Sequence, residues 1–489
     1  MDKFPQEIVS SIVGHLKRSD LPSYATISRQ WQYAVERLIL QAVRFESTEL
    51  SAFEHLFRPS ESHRRTLIKS VDLHVVLPTY SDAACGEYED DCEKEANSQV
   101  FSRAIHGLFK IFESLDDEDV RRAGGLELKI DAYSPMDTHR RPDHDRKREA
   151  TRYGSRKDLW TERYQASFLQ LKDCEHLPAL SNVSELHCSE SYHTRHIEPA
   201  SVMALVAKLR NLKRCYLQFY DQDVLDLELR QINRYNLAKA VSACTQPVDD
   251  CRITFRSRDP GNEDSSPPNL LPSSSKVDLL NLALHEFIQQ ANVTTIRIRD
   301  HIVTPELFWP SPNTTMAPIT SPFWQNLRDI HVNILVSTVD GGWYFMADPS
   351  IASYAEFTEK GSDYDSEGDD SDDNTNTFRS IPDPERMNPL LIAMAHAARH
   401  APVLERMWLS ASGGELQPRY LEQEDVELER IFQIHYLAKG MHDVSEELPD
   451  DKPTLICQVG DWKLEGEVER HWGKALSPDG VIVYNIPDY

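Results

Sequence analysis

The sequence predicts an α/β chain: a short helical segment at the N-terminus, then a long region in which helices alternate with short strands. Three observations carry this. Ile8, Ile12 and Leu16 recur every four residues, the spacing of one helix face. Further on, several helical stretches are each followed within a few residues by a short run of period-two alternation, the mark of a strand. Finally, the strand starts share a spacing of apolar residues, as in a stack of related units.

In the first segment Phe4-Pro5-Gln6-Glu7-Ile8 opens a helix, and Pro5 suits a first turn because its missing N–H would have no partner there. Val9 and Val13 lie beside the Ile8, Ile12, Leu16 stripe, and Lys17-Arg18 supply positive charge for the carbonyl end. Ser19-Asp20 is a stop-and-start signal for a second helix through Leu21, Ala25 and Ile27. Ser28 caps a third, on which Trp31, Val35 and Leu38 share a face. Three helices this short bury little among themselves, so their apolar faces call for another surface to cover them.

The residues Phe4, Pro5, Glu7, Ile8, Ile12, Leu16, Asp20, Leu21, Ile27, Ser28 and Trp31 together resemble the F-box, with Phe4 and Ile27 where that family usually has Leu and Val. The resemblance covers residues 1–45. It implies that Phe4, Pro5, Glu7, Ile8, Ile12, Leu16, Asp20, Leu21, Ile27 and Trp31 bind a Skp-type adaptor, which bridges to cullin and RING subunits and a ubiquitin-charged E2. The layout as a whole is similar to fungal F-box proteins with a long C-terminal region. That likeness is carried by Ser28-Arg29-Gln30-Trp31-Gln32, Phe323-Trp324-Gln325-Asn326-Leu327, Gly342-Trp343-Tyr344-Phe345 and Tyr436-Leu437-Ala438-Lys439-Gly440.

Residues 46–489 form the expected target-binding region. Helix-then-strand pairs are predicted at Phe101–Leu115 with Leu126–Ile130, Pro199–Leu209 with Leu212–Leu217, Leu279–Ala291 with Val293–Ile298, and Leu390–His400 with Leu404–Leu409. The strand starts at Leu180, Leu209 and Phe323 resemble leucine-rich repeat strands, which implies one curved parallel sheet with helices outside it. The intervals from Cys188 to Leu217, Phe255, Ile298, Val332 and Leu409 run 29, 38, 43, 34 and 77 residues, against about 20–29 in regular repeats. The expectation is therefore an irregular leucine-rich-repeat-like solenoid with disordered insertions, and the alternative an ordinary α/β domain. Insertions are expected at 138–157, dense in both charges, at 259–276, rich in Pro, Ser and Asn, and at 359–377, where eight of nineteen residues are acidic.

Composition limits the partners. The net charge of −26 argues against a broad nucleic-acid-binding surface, because that affinity rests on cations neutralising phosphates. No apolar run reaches the ~18 residues of a membrane helix, and Met1-Asp2-Lys3-Phe4-Pro5 does not open a secretory signal, so a cytoplasmic or nuclear location is expected. The eight cysteines contain no Cys-x-x-Cys pair, and Cys188 with His187, His193 and His196 fits no zinc spacing, so no metal or other cofactor is expected.

No Gly-x-Ser-x-Gly elbow, phosphate-cradling loop or Gly-x-Gly-x-x-Gly is present, and His285-Glu286 has Gln289 where a zinc protease has its second His. With no catalytic residues, the expected mechanism is proximity: the F-box resemblance implies a receptor that holds a target lysine near the E2 thioester. Trp309, Trp324, Trp343 and Tyr344 are candidate anchors for the target, since aromatics dominate binding hot spots. Other readings are an adaptor-binding scaffold without ubiquitination, and an α/β enzyme.

Overall fold

A computed structural model describes residues 4–485 apart from 58–61, 82–83, 85–86, 116–123, 138–162, 165, 189–193, 222–225, 258, 273–274, 311–322, 349–375, 412–429 and 442–450. The expected insertion at 138–157 lies outside the described residues, as does all of 359–377 except its last two.

The chain is a mixed α/β protein with eleven helices among the described residues. It opens with α1 (Gln6–Gly14), the single turn α2 (Leu21–Tyr24) and α3 (Arg29–Ile39). Helix α1 stops before Lys17-Arg18, so those cations do not close it. The second helix is far shorter than expected, because Pro22 sits in its first turn and Ser23 and Thr26 spend their hydroxyls on backbone carbonyls instead of extending it. Ser28 caps α3 as expected, accepting from the Trp31 N–H at 3.4 Å.

Val9 and Val13 turn inward, packing with Leu21, Ala34 and Val35 into a small core separate from the main one. α1 and α3 are clipped together by Gln30, whose Nε2 donates to the Phe4 carbonyl at 2.5 Å. This unit leans on the body through Glu36, which accepts from Arg64 at 2.7 Å and lies 3.1 Å from His63. Burial works against the Glu36 carboxylate, but hydrogen bonds from Arg64, Gln32 and His63 outweigh it and hold the pKa down to about 2. A carboxyl depressed this way contributes stability above its unfolded value near 4.5 and loses it as pH falls towards 2. Glu36→Gln is therefore expected to cost about 1–3 kcal/mol at pH 7. Urea denaturation should show its gap from the native chain closing between about pH 4.5 and 2.

The body is built on one twelve-stranded sheet. Its strands are β1 (Ala42–Glu46), β2 (Ser70–Val76), β3 (Leu126–Tyr133), β4 (Val183–Cys188), β5 (Arg214–Tyr220), β6 (Asp250–Arg256), β7 (Thr295–His301), β8 (Asp329–Ile334), β11 (Arg406–Ala411), β12 (Gln433–Leu437), β13 (Thr454–Gln458) and β14 (Val481–Tyr484). A separate two-stranded ribbon pairs β9 (Phe345–Ala347) with β10 (Arg379–Pro382). Each strand of the large sheet lies beside its predecessor, and only β12 runs antiparallel to its neighbours.

This order decides where the helices go. Parallel crossovers are right-handed, so strands added always on the same side place every connecting helix on the same face. Accordingly helix Leu227–Ser242 packs against both Pro199–Val206 and Leu279–Gln290. Beneath them, alternate strand residues such as Leu128, Leu186, Leu217, Ile253, Ile298, Val332 and Leu409 are buried in one continuous core. The residues between them are mostly polar and face away from it. Parallel sheets are ordinarily covered on both faces and read as unbroken apolar runs. The alternation here marks a face that no described helix covers.

Within 259–276, expected as a flexible insertion, two acids bond into the body. Asp259 accepts from the backbone N–H groups of Val336 and Ser337 at 2.7 and 2.9 Å. Glu263 is buried, accepts from the N–H groups of Phe378 and Arg379, and pairs with Arg430. Its polar composition serves to satisfy neighbouring backbone, which composition alone does not distinguish from solvation.

Candidate functional site

Two surfaces stand out. The first is the outer face of the N-terminal unit. Ile8 and Ile12 on α1, Phe4 just before it and Ile27 in the turn between α2 and α3 are 47%, 40%, 57% and 42% exposed, on a unit with its own small core. Four large apolar side chains left in water within so small a unit are more than the scattered single ones that need no explanation. Pro5, Glu7 and Asp20 are exposed around them. Leu21, expected at the docking surface, is fully buried and belongs to the interior of the unit. Leu16 and Trp31 are half-buried; Trp31 stacks on Tyr24 with ring centroids 5.8 Å apart.

The second surface is the open face of the sheet. Strand register sets Lys129, His187, Tyr216, Arg252, Arg297, His331, Trp408 and His435 in single file across eight strands. Their side chains are in contact along much of the file. His187 stacks on Tyr216 at 4.4 Å, and the Arg252 guanidinium sits 4.8 Å from the same ring. Trp408 lies between His331 at 5.6 Å and His435 at 4.8 Å. Burial and the nearby Arg297 charge push the His331 pKa below its usual value, so this imidazole is neutral at pH 7.

Beside the file runs a row of ion pairs. Arg214 pairs with Glu185, Asp250 lies 3.2 and 3.5 Å from Arg252 and Arg297, and Arg406 is 2.5 Å from Asp329. On the other side, Gln218 accepts from Arg256 at 2.7 Å. Two open depressions of about 250 and 520 Å³ lie on this face and share Arg297 and Arg299; Tyr216 and Arg252 line the first, His331 and Trp408 the second.

Towards the N-terminal end of the same face, Asp72, His74 and Asp131 come together, and so do Glu127, Glu185 and His187. Of these the sequence points only to His187, in a set that fits no zinc spacing. Their carboxylates already meet cations: Arg44 on Asp72 at 2.6 Å, Lys129 on Glu127 at 2.9 Å and Arg214 on Glu185. Cys188, weighed with His187 as part of a metal cluster, points the opposite way, into the core.

The expected aromatic anchors are mostly interior. Trp324, Trp343 and Tyr344 are only 1%, 7% and 3% exposed, which corrects their assignment to target contact. Trp343 donates its indole N–H to the Ser265 carbonyl at 3.2 Å, and the Tyr344 hydroxyl donates to the Val303 carbonyl at 2.6 Å. Trp309 is half-buried against Phe323, His396 and His400. Gln289 accepts from the Trp324 backbone N–H at 2.6 Å, a structural duty for the residue that breaks the zinc-protease pattern.

Five of the described cysteines, Cys188, Cys215, Cys244, Cys251 and Cys457, are buried as free thiols, while Cys92 is exposed and Cys174 half-buried. Burial pushes the Cys244 and Cys457 pKa values up to about 11 and about 12. A maleimide reagent on native protein is expected to modify Cys92 and Cys174 and to reach the other five only in denaturant. Mass spectrometry of the labelled peptides checks this.

No helix among the described residues is long and apolar enough to cross a membrane. Compared with models of known protein families the chain matches none, and a search of curated proteins finds no match.

Proposed function

We propose that the chain is the substrate-recognition subunit of an SCF-type cullin-RING ubiquitin ligase. Its N-terminal helices act as an F-box that docks a Skp-type adaptor. Its sheet-and-helix body is a leucine-rich-repeat-like solenoid whose open face holds a target. The observation that carries this reading is the outward set Phe4, Ile8, Ile12 and Ile27 on a unit whose own core is already filled by Val9, Val13, Leu21, Ala34 and Val35. Each of those side chains keeps 40–57% of its surface exposed. Covering them with another polypeptide is worth about 1.5–3 kcal/mol per fully buried side chain.

The one-sided sheet supports the second half of the reading. A continuous file of His, Tyr, Arg and Trp side chains on a rigid scaffold suits recognition, because such side chains need little ordering to make contacts. The chain supplies no bond-making group in this account; it raises the effective concentration of a target lysine beside the E2 thioester. Co-purification tests the proposal. Cullin and RING subunits should come down with the tagged chain, and a protein should accumulate in cells lacking it. Recovery of the adaptor without cullin would instead make the chain a scaffold.

A further inference from the structure

We infer that the open sheet face takes an extended, acidic segment of its target, with the anionic side chains over β6 and β7. This rests on the reading of the chain as a substrate receptor and names the chemistry of what it captures. Arg252, Arg256, Arg297 and Arg299 all project from these two strands on the open side, where they face the acids Asp250 and Asp300. That is an excess of positive charge in the middle of a sheet whose chain carries a net charge of −26. Asp250 is shared between Arg252 and Arg297. Arg299 is exposed, lines both depressions and has no ion pair among the described residues. Its guanidinium is positioned for a carboxylate or phosphate that none of the described residues supplies.

The neighbouring residues set the shape of the occupant. From Tyr216 to Trp408 the face crosses four strand spacings, ~19 Å, the reach of roughly six residues of extended chain. Anionic side chains at the centre of such a segment meet the arginines, and an apolar one at its end lies on the half-buried Trp408. A nucleic acid fits less well. In the adjacent row Glu185, Asp250 and Asp329 are matched by arginines, so that row offers a continuous phosphate backbone no excess of positive charge, whereas a short acidic segment needs only the arginines of β6 and β7.

Fluorescence anisotropy on the full-length chain tests this with four labelled probes. They are a decapeptide with three central glutamates and a terminal leucine, its phosphoserine counterpart, its glutamine counterpart, and a uridine decamer. The glutamate or the phosphoserine peptide should bind at least about tenfold more tightly than the glutamine peptide, and more weakly as salt is raised. The tighter of the two identifies the source of the charge. Arg299→Glu should remove at least about tenfold of that affinity, whereas Arg299→Lys should hold it within about threefold. Equal binding of the glutamine peptide, or an unaltered affinity in R299E, would overturn the inference; a uridine decamer binding as tightly as the acidic peptides would make the site one for a phosphate backbone. Adaptor capture is measured on the same samples. If it fails while the acidic peptides bind, the ligase reading falls and the anionic site stands; the opposite pattern sinks the site alone.

Discussion

Replacing Ile8 and Ile12 by aspartate is expected to weaken capture of a Skp-type adaptor by about a hundredfold or more while the chain stays folded. Both side chains are already 47% and 40% exposed, so neither supports the interior of the unit. Each fully buried in a complex contributes about 1.5–3 kcal/mol, and an aspartate there must also be desolvated beside apolar groups. Two such losses exceed the 1.4 kcal/mol per tenfold needed for a hundredfold effect. Val9→Asp makes the informative contrast. Val9 is fully buried, so that change should unfold the N-terminal unit and lose binding through a different cause. Circular dichroism separates the two: native-like melting in I8D/I12D, an altered melt in V9D.

Arg195→Ala is expected to be the most damaging single change to the body, costing about 3–5 kcal/mol of stability. Arg195, Asp137 and Glu89 are all buried. Arg195 donates to the two Asp137 carboxylate oxygens at 2.9 and 2.8 Å and pairs also with Glu89. Asp137 further accepts from the Ser134 N–H at 2.8 Å and from the Tyr80 hydroxyl at 3.2 Å, and the guanidinium lies 4.1 Å from the Tyr164 ring. Truncating the arginine strands two carboxylates away from water with their charge uncompensated. Adding Asp137→Asn should recover part of the loss, because it removes one of those charges. Chemical denaturation reads both. A cost under about 1 kcal/mol for R195A would show that water reaches this network and that its pairs behave as surface ones.

Much of the architecture was legible because it is written in local periodicity. The strands at Leu126–Tyr133, Val183–Cys188, Arg214–Tyr220, Thr295–His301 and Arg406–Ala411 fall on the alternating runs, and the helices at Pro199–Val206 and Leu279–Gln290 on the amphipathic ones. Helix Asp91–Ser114 begins ten residues before the expected Phe101, at an Asp90 capping box whose polar start hid it. Which of two adjacent apolar stripes on α1 faces inward was not legible. Val9 and Val13 win the interior and leave Ile8 and Ile12 outside, a matter of packing against Ala34 and Val35 that no spacing shows.

The residues expected to dock an adaptor thus do not all face outward: Leu21 shares its apolar character with Ile27 but not its direction. Trp324, Trp343 and Tyr344 misled for a related reason: an aromatic that anchors a partner and one that fills a core are the same residue type. The open-face file went unseen because its members lie far apart in the chain at uneven intervals. A signal was there. Aligning the strands on their buried Leu217, Ile253, Ile298, Val332 and Leu409 puts Tyr216, Arg252, Arg297, His331 and Trp408 in one column.

In the proposed function the N-terminal helices present an apolar face for another polypeptide to cover. Calorimetric titration of the full-length chain with a purified Skp-type adaptor, repeated at several temperatures, tests this. One-to-one binding at micromolar affinity or tighter is expected, with a negative heat-capacity change from burying roughly 800 Å² on each partner. Absence of binding, or binding of undiminished strength in the Ile8→Asp, Ile12→Asp variant, would contradict it.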